Sequence, residues 1–376
     1  MIKIVRRKTK VIKIGRVAIG GDNPVAIQSM VKCKTSQVAG AVKQIKELAS
    51  AGCEIVRVAV KDSDDARAIQ KIKERATLPL VADIHFDWRL GLEAIEAGAD
   101  KIRLNPGNIY KREEILSIVE AARKKRIPIR VGLNSGSLPP RKSSGPKEIS
   151  DRMVEAAMGY IRQLEEFDFF DICVSVKASN IPDTLAAYRK IATLCEYPLH
   201  LGVTATGTLY AGAVKSAIAI GALLLDGIGD TIRISLTEKP QAEVKAAKCI
   251  LEAAGIRSFG PEIISCPTCG RCETDLVKIV KKLEHKLLTV PAAGWSARGG
   301  NNQLSTRPMT LAVMGCVVNG PGEAAQADLG IAFGKGSGLL FKKGKPVRKV
   351  SSADACDTLL KEITSICSGR KRSSLP

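Results

Sequence analysis

Four of the eleven cysteines stand in two short motifs whose spacing suits a metal centre. The segment SCPTCGRC holds Cys266, Cys269 and Cys272, and the segment MGCVVNGPGEA holds Cys316 and Glu323. Thiolates spaced in this way bind either a zinc ion or an iron–sulfur cluster. A zinc ribbon normally has a second CxxC pair, which Cys316 lacks. The pattern therefore favours iron–sulfur, with zinc and the absence of any metal as open alternatives.

Basic side chains near the ends of β-branched runs form a second candidate site. They are Arg57, Arg103, Arg130, Lys177 and Arg233. A charged side chain within an apolar strand is costly unless it meets a partner of opposite charge. Guanidinium groups bind phosphate oxygens through two parallel hydrogen bonds. We therefore expect a pocket for a strongly anionic substrate, namely a diphosphate, although the GxxxxGK[ST] loop of nucleotide sites is absent.

The elements that must position these residues alternate between short strands and amphipathic helices. Eight strands, each followed by a helix, are predicted at 24–30, 54–60, 78–85, 101–106, 127–134, 170–179, 198–205 and 230–236. This pattern predicts an α/β fold, a (β/α)₈ TIM-like barrel with its active site at the carboxyl ends of the strands. An open doubly wound sheet is the competing interpretation.

We place the barrel at residues 1–255 and a smaller α+β domain at 256–376. Within the second domain, the Gly-, Pro- and Asn-rich stretch 291–308 is expected to be a loop.

The composition limits the class of protein. The chain has 376 residues and a formal net charge of +20, but only 4% aromatic residues. Single-stranded nucleic acids are usually bound by stacking on aromatic side chains, so a nucleic-acid partner is disfavoured. No apolar run is long enough for a membrane span, and the first residues do not form a secretory signal. We expect a cytoplasmic protein with no membrane contact.

Nine motifs, in order, resemble the 4-hydroxy-3-methylbut-2-enyl diphosphate synthases, a family of iron–sulfur reductases of the non-mevalonate isoprenoid pathway. The motifs are PVAIQSM, ADIHFD, KIRLNPGN, VGLNSGSL, VSVKASN, GVTATG, GIGDTIRISLT, SCPTCGR and MGCVVNGPGEA. They extend from about residue 10 to residue 335. The resemblance implies reductive ring opening and dehydration of 2-C-methyl-D-erythritol 2,4-cyclodiphosphate. It also implies a C-terminal domain similar to sulfite and nitrite reductase modules.

The resemblance also implies roles for individual residues. One [4Fe–4S] cluster per chain would be held by Cys266, Cys269, Cys316 and Glu323, with Cys272 as a bystander. Asn319 and Glu323 would take part in catalysis. The substrate-binding residues would be Arg57, Arg103, Asn105, Arg130, Asn134, Lys177, His200, Thr204, Arg233 and Ser235.

Partners follow from the same resemblance and from the charge. Family members are head-to-tail homodimers, so we expect a homodimer. No dinucleotide motif is present, so electrons should come from a separate acidic carrier, either flavodoxin or ferredoxin, which a basic surface would attract. Two alternatives are a nucleic-acid-modifying protein and an aldolase that uses Lys177 as a Schiff base. The aldolase alternative does not explain the cysteines.

Overall fold

A computed structural model describes residues 4–138, 148–204, 206–289 and 309–372. The predicted loop at 291–308 lies outside the described residues. The chain divides into two compact units, Met1–Arg257 and Ser258–Pro376. Among the described helices, none is both long and apolar enough to cross a membrane.

A β-hairpin precedes the barrel and packs against its interior. Its strands are β1 (Ile12–Ile14) and β2 (Val17–Ile19), which pair antiparallel around a turn at Gly15, where φ is +54°. Ile12, Ile14 and Ile19 are buried against residues near the amino ends of the barrel strands, such as Ala26. The hairpin therefore forms an apolar floor. Sequence analysis does not predict it, because its strands have three residues each.

Eight parallel strands form the barrel, which confirms the predicted fold class. They are β3 (Ala26–Met30), β4 (Ile55–Val60), β5 (Leu80–Ile84), β6 (Lys101–Leu104), β7 (Ile129–Asn134), β8 (Ile172–Lys177), β9 (His200–Leu201) and β10 (Thr231–Ile232). Their order is β8-β7-β6-β5-β4-β3-β10-β9, and a bridge between Val174 and Leu199 joins the two ends. This closure excludes the open doubly wound sheet.

A helix follows each barrel strand. The helices are α1 (Val38–Ala51), α2 (Ser63–Lys73), α3 (Trp88–Glu96), α4 (Arg112–Lys125), α5 (Ile149–Glu166), α6 (Ile181–Leu194), α7 (Leu209–Leu225) and α8 (Pro240–Ala253). Side-chain caps fix where some of them begin. For example, the Asn180 side chain accepts a hydrogen bond from the Asp183 amide at the start of α6. Such a cap pairs an amide that the first helical turn leaves without a backbone partner.

The second unit is a mixed sheet with helices on both faces. Its elements are β11 (Glu262–Ser265), α9 (Leu276–Thr289), β12 (Thr310–Met314), α10 (Gly320–Gln326), β13 (Leu329–Phe333), β14 (Ser337–Lys342), β15 (Lys345–Ser351) and α11 (Ala355–Arg372). The strands lie in chain order; the first three are parallel and the last three antiparallel.

Alternation along β12 builds two separate cores in this unit. Leu311 and Val313 pack into a cluster that includes residues of α9 and α11. Ala312 and Met314 point to the opposite face, where Ala324 of α10 packs. Both faces of the strand are therefore covered, as expected for a strand whose residues are all apolar except the first.

Candidate functional site

A polar cavity of about 200 Å³ lies inside the barrel at the carboxyl ends of its strands. It is lined by Arg57, Asp83, His85, Arg103, Asn105, Arg130, Asn134, Ser175, Lys177, Thr204, Arg233 and Ser235. Nine of the ten predicted substrate residues are in this set; His200 is not. Strand alternation explains the convergence, because residues such as Arg103 and Asn105 are two positions apart and point the same way.

Asp83 is the one carboxylate among the described residues that line the cavity. Its Oδ1 lies 3.2 Å from Arg103 Nη1, and its Oδ2 lies 3.6 Å from Arg57 Nη1. Burial alone would raise the pKa of Asp83, but Arg57, Arg103 and Arg130 outweigh that effect and lower the pKa to about 2. Asp83 is therefore ionised and forms an ion pair with each of the two arginines.

Two glycines make room for the cations. A Cβ at Gly132 would stand 2.4 Å from Arg103 Nε, and a Cβ at Gly202 would stand 2.6 Å from Lys177 Nζ. Both side chains therefore lie directly over strand backbone, where only glycine fits. Arg103 Nη2 also donates to the Gly132 carbonyl at 2.6 Å. Gly132 in the segment RVGLN and Gly202 in the segment HLGVT are sequence signals that could have predicted these close approaches.

Positive charge in the cavity exceeds negative charge, with five cations around one carboxylate. Burial first and the neighbouring Arg57 second lower the pKa of Arg130 to about 9 and that of Arg233 to about 10. The pKa of Lys177 lies well below its ordinary value, because of burial first and Arg130 second. These shifts record mutual repulsion that a bound polyanion would relieve.

Glu243 of α8 holds Arg233 from outside the barrel. Its carboxylate is buried, accepts hydrogen bonds from Ser29 Oγ at 2.8 Å and from the Leu236 amide at 3.1 Å, and lies 3.5 Å from Arg233 Nη2. Lys32 Nζ is 3.1 Å away. Sequence analysis missed Glu243, since a glutamate in the first turn of a helix usually faces solvent.

Neutral polar groups complete the lining. Asn105 Oδ1 accepts from the Gly107 amide and from Ser137 Oγ, each at 3.2 Å. Its acceptor is thereby occupied, and its amide donor is left for a ligand. Thr204 Oγ1 donates to the Ala178 carbonyl at 3.0 Å.

His200 differs from the prediction that it lies at the rim. It is the first residue of β9, is fully buried, and its Nδ1 lies 2.8 Å from Thr231 Oγ1. It stands two positions before Gly202, which faces Lys177. His200 therefore lies one layer below the cavity.

The predicted cluster residues lie at the carboxyl ends of two neighbouring strands of the second unit. Cys266 follows β11, and Cys316 follows β12, which pairs with β11 in parallel. The Gly315 amide donates to Cys266 Sγ at 3.3 Å, which ties the two segments together. Parallel pairing thus brings together residues that are far apart in sequence.

Two of the predicted ligands favour the thiolate form. Hydrogen bonds from the backbone and side chain of Arg271 lower the pKa of Cys269. Backbone amides of Asn319 and Val318 lower the pKa of Cys316. Thiolate is the form in which cysteine binds iron or zinc, and hydrogen bonds to sulfur are a feature of iron–sulfur sites. The chemistry of these donors therefore fits an iron–sulfur cluster.

The side chains are not gathered at the distance a single ion requires. Within the described ranges, no three His, Cys, Asp or Glu side chains are arranged to hold one metal ion. Cys269 and Glu323 are exposed, as is Asn319. A cluster of four irons attaches each ligand to a different iron, so its ligands stand farther apart than those of one zinc ion. The arrangement gives no support to the zinc alternative.

Comparison with known proteins shows the family to which the chain belongs. Residues 9–248 match the family model described as the GcpE TIM-barrel domain, and residues 262–365 match the GcpE protein C-terminal domain. Curated relatives named 4-hydroxy-3-methylbut-2-en-1-yl diphosphate synthase (flavodoxin) are similar over nearly the whole chain. The relative from Fusobacterium nucleatum is 50% identical, covering 97% of this chain and 99% of its own.

Two further relatives carry the same name. The Caldicellulosiruptor saccharolyticus protein is 52% identical over 95% of this chain and 99% of its own, and the Bacillus subtilis protein is 50% identical over 95% and 91%. The resemblance inferred from the nine motifs is thereby confirmed. With both domain models matched in order, the chain belongs to the GcpE family.

Proposed function

We propose that this protein converts 2-C-methyl-D-erythritol 2,4-cyclodiphosphate into (E)-4-hydroxy-3-methylbut-2-enyl diphosphate in non-mevalonate isoprenoid biosynthesis. The observation that carries the proposal is the cavity with five cations around one carboxylate. The name of the relatives supplies the product, a diphosphate. An oxidoreductase reaction also agrees with the cysteine motifs of the second unit.

The basic residues would bind the diphosphate and stabilise the phosphate oxygen that leaves carbon when the ring opens. The other end of the diphosphate stays attached to the product. When the ring opens, a C–O bond to phosphate breaks and negative charge grows on the diphosphate oxygens. Arg130 and Lys177 are buried and have no carboxylate within ion-pair distance among the described residues, so an anionic ligand would be their counter-charge. Such groups, fixed before the reaction, stabilise developing charge without reorganising.

The cluster that this proposal requires is a [4Fe–4S] centre held by Cys266, Cys269, Cys316 and Glu323. When bound, it would supply electrons one at a time and act as a Lewis acid. The chain contributes Arg271 and the amides after Cys316, which lower the pKa of Cys269 and of Cys316. Glu323 adds one oxygen ligand, which exchanges more readily than a fourth thiolate.

The electron donor is proposed to be flavodoxin. The relatives' names specify flavodoxin, and the net charge of +20 would attract an acidic carrier. Ferredoxin is the alternative, and turnover with each purified donor decides between them. A cytoplasmic location remains a prediction.

We propose that the chain forms a homodimer through the outer surface of the barrel. Helix α7 exposes an apolar stripe in which Tyr210 is 85%, Ile218 53% and Leu225 60% exposed. These residues and Val214 fall on one face of the helix. A second copy of the chain would cover this face. Sedimentation of the wild type as a dimer and of a Tyr210→Lys, Ile218→Lys double variant as a monomer would support this contact.

One anaerobic experiment tests the function. Purified protein is assayed for iron and sulfide and then supplied with the cyclic diphosphate and reduced flavodoxin, and products are followed by phosphorus NMR. We expect four irons and four sulfides per chain and release of the linear diphosphate. One zinc per chain, or intact cyclic diphosphate in the presence of a full cluster, would overturn the proposal.

A further inference from the structure

Below the cavity, the barrel interior contains a layer of polar side chains. Side chains of a strand alternate, so the residue two positions before a cavity residue points inward one layer lower. By this rule Lys101 lies beneath Arg103, and Thr231 beneath Arg233. The polar members of this buried layer, which we call the polar layer, are Gln28, Lys101, Cys173, His200 and Thr231. Barrel interiors are usually filled by Val, Ile and Leu, so this layer needs a separate explanation.

Several groups in and beside the polar layer have no hydrogen-bond partner in the part of the chain that the structure describes. They are Lys101 Nζ, His200 Nε2 and both amide atoms of Gln28, together with Nε and Nη1 of Arg130. Lys101 and His200 are completely inaccessible to solvent. Unpaired buried donors are costly, and they are the usual partners of internal water. The polar layer thus offers hydrogen-bonding sites next to the anion cavity.

The charges around Lys101 disfavour its ammonium form. The pKa of Lys101 is lowered to about 8, by burial first and then by Arg130 and Arg57, whereas Cys173 acts in the opposite direction. The pKa of the Cys173 thiol is itself raised by burial, so it supplies no anion at neutral pH. His200 has a pKa well below its usual value, through burial and then Lys177 and Arg130.

We propose that the polar layer exchanges a proton with the cavity above it: in alkaline solution Lys101 takes up a proton when a polyanion binds and gives it back when the cavity empties. The physical cause is the repulsion from Arg57 and Arg130. A dianion bound to those guanidinium groups cancels much of the positive potential that Lys101 feels, and its ammonium form becomes favourable. No carboxylate in the polar layer could do this in place of the ligand.

The identity of the polyanion rests on the proposed function, and so does the use of the proton. Reduction of the cyclic diphosphate takes two electrons from the external donor and two protons. It breaks one C–O bond to open the ring and releases one oxygen as water. A proton held by Lys101 lies beneath the reacting groups, where bulk water does not reach.

Titration calorimetry in buffers of different ionisation enthalpy measures the protons taken up on binding. Each phosphorus of the cyclic diphosphate carries one strongly acidic group, so the ligand itself does not titrate between pH 7 and 9. We compare the wild type with Lys101→Met and with Lys43→Met, which removes an exposed lysine of α1. At pH 9 the wild type should take up about 0.8 proton more than Lys101→Met, because Lys101 is then about one-tenth protonated in the free protein.

At pH 7 the difference should fall to about 0.1 proton, since Lys101 is already charged in the free protein. The Lys43→Met protein should behave as the wild type at both values. Equal proton counts for the wild type and Lys101→Met at pH 9 would overturn the proposal. The proposal would also be overturned if the number of protons that the wild type takes up did not change between pH 7 and pH 9. This second test needs no variant.

A second ligand separates this inference from the proposed function. Inorganic pyrophosphate is titrated into the same proteins, and only the difference between variants is used. If pyrophosphate binds with the Lys101-dependent proton and the cyclic diphosphate does not bind, the proton exchange stands and the proposed substrate is wrong. If the cyclic diphosphate binds and turns over without the extra proton, the function stands and the proton exchange is wrong.

Discussion

The sulfur of Cys272 occupies the space in which a side chain at Gly315 would begin. A Cβ at Gly315 would stand 2.4 Å from Cys272 Sγ. The Gly315 amide donates to Cys266 Sγ at 3.3 Å, and its carbonyl accepts from the Glu273 amide at 2.7 Å. Cys272 therefore packs against the residue that precedes Cys316. The extra cysteine supports the ligand-bearing segment, although it belongs to no predicted ligand set.

This contact predicts a rescue between two variants. Gly315→Ala should prevent cluster assembly, because the new methyl group displaces the segment that carries Cys316. Adding Cys272→Ala removes the sulfur and leaves the Cβ of residue 272 at 3.5 Å, an ordinary contact. Iron content and visible absorption should recover in the double variant. If the double variant contains as little iron as Gly315→Ala, the contact between Cys272 and Gly315 does not position the segment that carries Cys316.

The ligand assignment predicts distinct results for individual cysteines. Serine variants of Cys266, Cys269 and Cys316 should lose most of the visible iron–sulfur absorption after anaerobic reconstitution. Cys272→Ser should keep it, and Cys249→Ser, an exposed position on α8, serves as the matched control. If the Cys272→Ser protein lost the iron–sulfur absorption and the Cys269→Ser protein kept it, Cys272 would replace Cys269 as a ligand.

Asp83 should make stability depend on acid pH. Its pKa in the folded protein is about 2, below the ordinary value, so ionised Asp83 stabilises the fold above pH 4 and this contribution disappears as the pH falls toward 2. Urea denaturation should show Asp83→Asn less stable by about 2 kcal/mol at pH 7, with less than about half of that difference left at pH 2.5. A difference that is the same at both pH values would contradict the assignment.

Glu243 should act on substrate binding through Arg233. Glu243→Gln keeps a side chain of the same shape but leaves Arg233 without its buried counter-charge. The apparent Kd for the cyclic diphosphate should change by at least about tenfold, equivalent to 1.4 kcal/mol. Glu238→Gln, an exposed neighbour, should bind as the wild type. Unchanged affinity in a correctly folded Glu243→Gln protein would show that Arg233 is positioned by other contacts.

Much of the fold follows from local pattern. Strands with β-branched residues alternate with amphipathic helices, and eight such units permit few arrangements, so the barrel can be inferred without coordinates. The same holds for Arg57, Arg103 and Arg130, because an arginine near the end of a buried strand has to meet an anion. The motif around Cys266 and Cys316 likewise indicates its chemistry through residue type and spacing.

Only the tertiary structure shows how these residues are arranged around one another. Glu243 lies on a helix whose sequence does not distinguish it from a solvent-facing glutamate; the connection from β10 to α8 brings it to Arg233, and the pairing of β10 with β3 brings it to Ser29. His200 and Lys101 point into the barrel like the cavity residues, but each stands two positions before an upper-layer residue, Gly202 and Arg103, and therefore lies one layer lower. The packing of Cys272 on Gly315 depends on the parallel pairing of β11 and β12. Residue type and order determine which groups can react, whereas long-range packing sets their depth, partners and charge state, since burial and neighbouring charges control these energies.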